Sequence, residues 1–145
     1  MEKQTPYQIW KDQGYMAVQR ALINDPKSIH NSTSKTPSLL AGLAFYGNYL
    51  NLKGIVDDFK PDLNVVDKYN GSTPLHFAVF SEKSGPEQEK IVTYLIKKGA
   101  NPYVKSSKSR TCFDPLEDGR KPSPKIVKLM RSLTNLGSFK KFLDL

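Results

Sequence analysis

Residues 71–80 read GSTPLHFAVF, and their order carries a local structure. Thr73 offers a side-chain oxygen that can cap a helix, and Pro74 fits the first helical position, where no amide hydrogen bond is lost. Gly71 suits a turn that needs positive φ. Leu75, Phe77, Ala78 and Val79 then put small and apolar side chains on one side of a short helix. A second apolar segment, KIVTYLIKKGAN, follows at residues 90–101. Its Ile91, Val92, Leu95 and Ile96 share one helical face, and Gly99 ends it by tolerating a left-handed backbone. The intervening SEKSGPEQE, residues 81–89, has the composition of an exposed loop.

The start recurs. Thr5-Pro6, Thr36-Pro37 and Thr73-Pro74 are followed by a degenerate TCFDPL at residues 111–116. In TPYQ, Gln8 stands at the capping-box position relative to Thr5. Second apolar segments accompany the other starts at residues 14–26, 48–62 and 123–133. Each unit therefore reads as helix, turn, helix and polar connection. The connection before Thr111, VKSSKSR, has neither Gly nor Asp, so its turn departs from the pattern.

GSTPLHFA followed by IVTYLIKKGAN resembles the ankyrin repeat, whose period is about 33 residues. The third unit is a close match and the others are divergent. The resemblance implies an all-α, ankyrin-type helix-pair solenoid of about four stacked repeats. The units fall at about residues 4–35, 36–72, 73–110 and 111–133 of a single domain spanning 1–145, with 134–145 as a capping or partner-binding helix. It assigns Thr73, Pro74, Leu75, His76, Ala78 and Gly99 to the structural motif, with His76 hydrogen-bonding neighbouring backbone and tying adjacent units together. A helix pair cannot bury its apolar face alone, so stacking supplies the core. The residues expected there include Ile9, Trp10, Val18, Leu22, Leu39, Leu43, Leu52, Ile55, Leu75, Leu95, Phe113, Ile126, Leu129 and Met130.

Chemistry has little to stand on. The chain has one cysteine, Cys112, and two histidines, His30 and His76. No intrachain disulfide or Cys-based zinc site can form. Phosphate-loop, nucleophile-elbow and zinc-protease motifs are lacking. Asp57, Asp58, Asp62 and Asp67 do not have the spacing of a calcium loop and read as structural. No enzyme activity, cofactor, metal or small-molecule substrate is expected. The longest apolar-leaning run, residues 39–47, is far short of a membrane span of about 20 residues. The N-terminal MEKQTPYQIW lacks a signal-peptide pattern, so a cytoplasmic location is expected.

The resemblance implies binding of a partner protein through loop tips and the first helix of each pair. The candidate partner-binding residues are Lys68, Tyr69, Asn70, Ser72, Phe80, Ser107, Lys108, Arg110, Tyr46 and Asp12. Further tip or concave-face positions are Ser32, Thr33, Lys35, Gln13 and Ser81. Tyr69 is the foremost of these, because a tip tyrosine offers area and a hydrogen bond with two torsions to fix. Such a module serves as an adaptor or as a host-directed effector acting in a host cytosol. The net charge of +8 points to an acidic partner, and all of the excess lies in residues 97–145. The alternative is nucleic acid or an anionic membrane surface bound through Lys97, Lys98, Lys105, Lys108, Arg110, Arg120, Lys121, Lys125, Lys128, Arg131, Lys140 and Lys141, with Tyr103, Phe139 and Phe142 to stack or insert.

Overall fold

The computed structural model describes residues 3–143, with side chains described through residue 135. Seven α-helices occur among the described residues: α1 (Pro6–Gln13), α2 (Tyr15–Asn24), α3 (Leu39–Phe45), α4 (Tyr49–Phe59), α5 (Pro74–Val79), α6 (Pro86–Lys97) and α7 (Pro124–Leu143). A 3₁₀ turn, Pro26–His30, follows α2. The first helices of the pairs form one layer, α1 against α3 and α3 against α5. In the second layer α4 packs on α6 and α6 on α7. Leu22, Leu39, Leu40, Leu43, Leu52, Ile55, Leu75, Ile91, Leu95, Ile126 and Met130 are fully buried between the layers. Each contributes roughly 1.5–3 kcal/mol by leaving water. Ile9, Trp10, Phe113 and Leu129 are only partly buried, because they lie toward the ends of the stack, where no further unit covers them. Trp10 instead stands between the rings of Tyr7 and Tyr46, at 6.1 and 6.4 Å.

Adjacent units are tied by polar contacts that repeat with the period of the stack. The Lys68 N–H donates to Ser32 Oγ at 2.8 Å, and the Ser107 N–H to the Gly71 carbonyl at 2.8 Å. The Asn101 N–H donates to Asn64 Oδ1 at 2.8 Å. The Ser81 hydroxyl and the Glu82 N–H both reach the Phe45 carbonyl, at 2.8 and 2.9 Å. Gln88 crosses the loop between α5 and α6 and donates to the last carbonyls of α5, those of Ala78 and Val79. Consequently α6 begins at Pro86, and part of the expected loop is helix. On the second layer the Tyr94 hydroxyl donates to Asp57, joining α6 to α4. The Lys53 ammonium, followed by that hydroxyl, holds the Asp57 carboxyl down at about 2. Asp67 and Asp62 accept local N–H groups from their own turns, Asp67 from Asn70 and Ser72 and Asp62 from Asn64.

The four Thr-led starts do not share one local role. Thr5 and Thr73 cap α1 and α5, each with Pro at the first position and a reciprocal capping box, the partners being Gln8 and His76. Thr36, expected to open the second unit's helix, instead pairs with Thr33 in a short bridge, and Ser38 caps α3 by accepting from the Ala41 N–H at 3.2 Å. Serine is at least as good a cap as threonine, and its place two residues later shifts the helix start. At Thr111 the expected helix is absent. Asp114 turns its carboxylate back to the Thr111 N–H at 2.9 Å and the Thr111 hydroxyl at 3.2 Å. Pro115 then stands where the first intrahelical amide bond would form and pushes Asp114 out of helical geometry. Residues 111–123 therefore run as a helix-free strap, and the first layer stops at α5. The expected division near residue 134 also has no counterpart in the backbone, since α7 runs unbroken from Pro124 to Leu143. The side chains of Phe139, Phe142, Lys140 and Lys141 lie outside the described ones.

Two tip turns use the left-handed backbone differently. Gly71 takes φ 71°, as the sequence predicts. In the Gly-free turn before Thr111, Ser109 takes φ 61° at the matching place, two residues before the threonine. The Ser106 N–H closes that turn on the Arg110 carbonyl at 2.8 Å.

Candidate functional site

A groove of about 410 Å³ lies along the first-helix layer under the loop tips. Its floor comes from Tyr7 on α1, Gly42, Phe45 and Tyr46 at α3, and His76, Phe77 and Phe80 at α5. Gly42 is required here. A Cβ added to it would lie 2.3 Å from Tyr7 Cε2, so the missing side chain lets the Tyr7 ring rest on α3. Lys11 Nζ sits 4.5 Å above the Tyr46 ring, and Phe45 meets the same ring edge-on at 5.2 Å. Burial, followed by hydrogen bonding to Tyr46, raises the Tyr7 phenol above its usual range. The Tyr7 ring is thereby held as a neutral, packed surface.

The walls are the tips and the strap. Tyr69, Asn70 and Ser72 come from the tip before α5, and Ser106, Lys108 and Arg110 from the next tip. Lys35 enters from the first tip, and Asp114, Leu116 and Arg120 from the strap. Tyr69 is 46% exposed. Of the ten candidate residues, Tyr46, Tyr69, Asn70, Ser72, Phe80, Lys108 and Arg110 line the groove. Lys68, Ser107 and Asp12 do not line it. Lys68 uses its N–H on Ser32, Ser107 packs over Gly71, and Asp12 accepts from the Gln4 amide at 3.0 Å. Sequence reasoning missed Tyr7, Phe45, Asp114 and Leu116 as groove residues, and offered Arg120 only as a contact for nucleic acid or a membrane surface. Pro115, four places after Thr111, was the signal that the strap would not be a helix.

His76 lies at the base of the groove with both ring nitrogens committed. Nε2 donates to the Arg110 carbonyl at 2.8 Å, bridging to the next unit. With that proton placed, Nδ1 accepts from the Thr73 N–H at 3.2 Å. Such an imidazole has no free lone pair for substrate. Burial lowers its pKa, outweighing the Arg110 carbonyl and the charge of Asp114. A histidine with a depressed folded-state pKa contributes stability that is complete above the usual value of about 6.5 and declines below it. Thermal melts should therefore fall as pH drops from 7.5 to 5. His76→Asn should remove part of that slope and leave the part due to His30, whose pKa burial also lowers. An unchanged slope in the variant would show that His76 does not titrate against folding.

Cys112 is buried and its thiol is pushed up to about 12 by burial, which keeps it unreactive. Among the described residues no group of three His, Cys, Asp or Glu could hold a metal ion, and no helix is long and apolar enough to cross a membrane. The arrangement offers surfaces for contact.

The ankyrin repeat family model matches residues 70–107, which contain the GSTPLHFA stretch, Tyr69's neighbour Asn70 and the start of the next tip at Ser106 and Ser107. Among solved structures, the chain resembles the crystal structure of EF0377, an ankyrin repeat protein, with a TM-score of 0.64 at 22% identity over 90% of this chain. The chain spans 62% of the length of that one. No curated protein matches the chain in sequence.

Proposed function

We propose, from the premise that the fold is that of an ankyrin repeat protein, that this chain is a non-catalytic module binding a partner protein through its concave face and loop tips. Ankyrin repeats are in general protein–protein interaction modules. The observation that carries the finer reading is the groove itself: an aromatic floor under an exposed tip tyrosine, beside an imidazole already consumed by structure. Aromatic and arginine side chains at the centre of a concave patch are the usual energetic anchors of protein interfaces. With contact surface in place of chemistry, the module works as a cytosolic adaptor.

Tyr69 stands half exposed, and Arg110 holds His76 through its backbone carbonyl, which an alanine keeps. The Tyr69→Ala/Arg110→Ala variant should melt like the wild type and lose at least about tenfold in affinity for partners retained by the wild-type chain. Calorimetric titration of one such purified partner checks this. Full affinity in the folded variant would remove the groove from the interface.

A further inference from the structure

The groove's charges are one-sided, and three of its four cations are already answered from within the chain. Lys35, Lys108, Arg110 and Arg120 line it, against a single lining carboxylate, Asp114. Asp114 is spent on Thr111. The strap supplies the rest. Glu117 Oε1 lies 3.6 Å from both Lys108 Nζ and Arg110 Nη2. Asp118 accepts from Arg120 Nε at 2.9 Å. Both carboxylates stand in water, the Glu117 side chain being 64% exposed and that of Asp118 54%. Ion pairs so exposed contribute little and yield easily to a better-placed anion.

We infer that the groove receives an acidic, aromatic- or aliphatic-bearing segment of a partner protein, and that Glu117 and Asp118 occupy its carboxylate positions until the partner displaces them. This deepens the protein-binding reading and rests on it. The floor takes one or two apolar side chains, while Lys108 and Arg110 take a carboxylate in place of Glu117. Arg110 suits the exchange because its planar fork matches a carboxylate. A single-stranded nucleic acid fits less well. Its bases need free ring faces, and Lys11 covers one face of Tyr46 while Tyr7 rests on Gly42. A volume of about 410 Å³ also suits a few side chains better than a backbone track.

The test selects phage-displayed random 12-residue peptides on the full chain and measures the winners by fluorescence anisotropy. Enriched peptides should carry net negative charge together with an aromatic or aliphatic residue. Arg110→Gln should weaken them about tenfold or more. Glu117→Gln should tighten them about two- to fivefold, with the gain shrinking as salt rises. Neutral or basic winners that still need Tyr69 would overturn the acidic class while leaving the concave-face reading intact. Winners indifferent to both Tyr69→Ala and Arg110→Gln, or no winners, would overturn both. Acidic winners unaffected by Glu117→Gln would overturn displacement. A 20-residue oligothymidylate that binds more tightly than any peptide and depends on Arg110 would assign the groove to nucleic acid instead.

Discussion

Leu95→Ala lowers the unfolding free energy by about 2–5 kcal/mol, the range for emptying a leucine-sized volume in a packed core. Leu95 is 0% exposed, on α6, the helix that packs against α4 on one side and α7 on the other. The cavity therefore opens in the second layer, inside the buried cluster that also holds Ile91 and Met130. In a chain of this length each kcal/mol moves the melting temperature by roughly 3–4 °C. Loss of ~3 kcal/mol should thus be plain in a calorimetric scan. Leu95→Met, which keeps volume, should cost less than ~1.5 kcal/mol. If the alanine variant melts with the wild type, the packing of the second layer is wrong.

The second large effect is at a position with no side chain. Gly71→Ala should cost about 2–5 kcal/mol, from two separable sources. The backbone there has φ 71°, which penalises a residue with a Cβ by roughly 1–2 kcal/mol. The new Cβ would also lie 1.8 Å from Ser107 Oγ and 2.5 Å from Ser107 Cβ. Relieving that overlap moves the next tip and stretches the bond from the Ser107 N–H to the Gly71 carbonyl, an overpacking cost of ~1–3 kcal/mol. Gly71→Ala/Ser107→Gly removes the overlap and keeps the strained φ, so it should recover about half of the loss. A double variant no more stable than Gly71→Ala would place the whole cost in the backbone. The damage should extend to binding, because Gly71 and Ser107 hold together the tips that carry Tyr69 and Lys108.

Much of this was legible in one dimension, for definite reasons. Thr73, Pro74 and His76 sit within four residues, so their capping geometry is set locally and can be read locally. The apolar faces of α4 and α6 follow from helical spacing alone. Thr36 misled because Ser38, two residues on, is an equal competitor for the cap, and only the Thr33–Thr36 bridge decides between them. At Thr111 the dipeptide was already broken, and Pro115 mattered more than the threonine. The groove was half visible. Tip residues follow from the repeat register, whereas Tyr7 enters only because Gly42, one unit away, leaves room for its ring. The ion pairs of Glu117 with Lys108 and Arg110 could not be read from sequence, since they depend on where a helix fails to form.

That failure also bears on how the molecule responds to force. Among the described residues the cross-unit hydrogen bonds join positions no more than 41 apart, from Tyr94 to Lys53 at the widest, so each of these ties spans neighbouring units only. Tension applied at the two ends loads each junction in series, like links of a chain pulled straight. The last junction has α7 alone in place of a helix pair, with the strap beside it. Stretching that frees this junction would take the strap wall of the groove with it, Asp114, Leu116 and Arg120, while the aromatic floor on α1, α3 and α5 and the tip carrying Lys108 and Arg110 stay assembled.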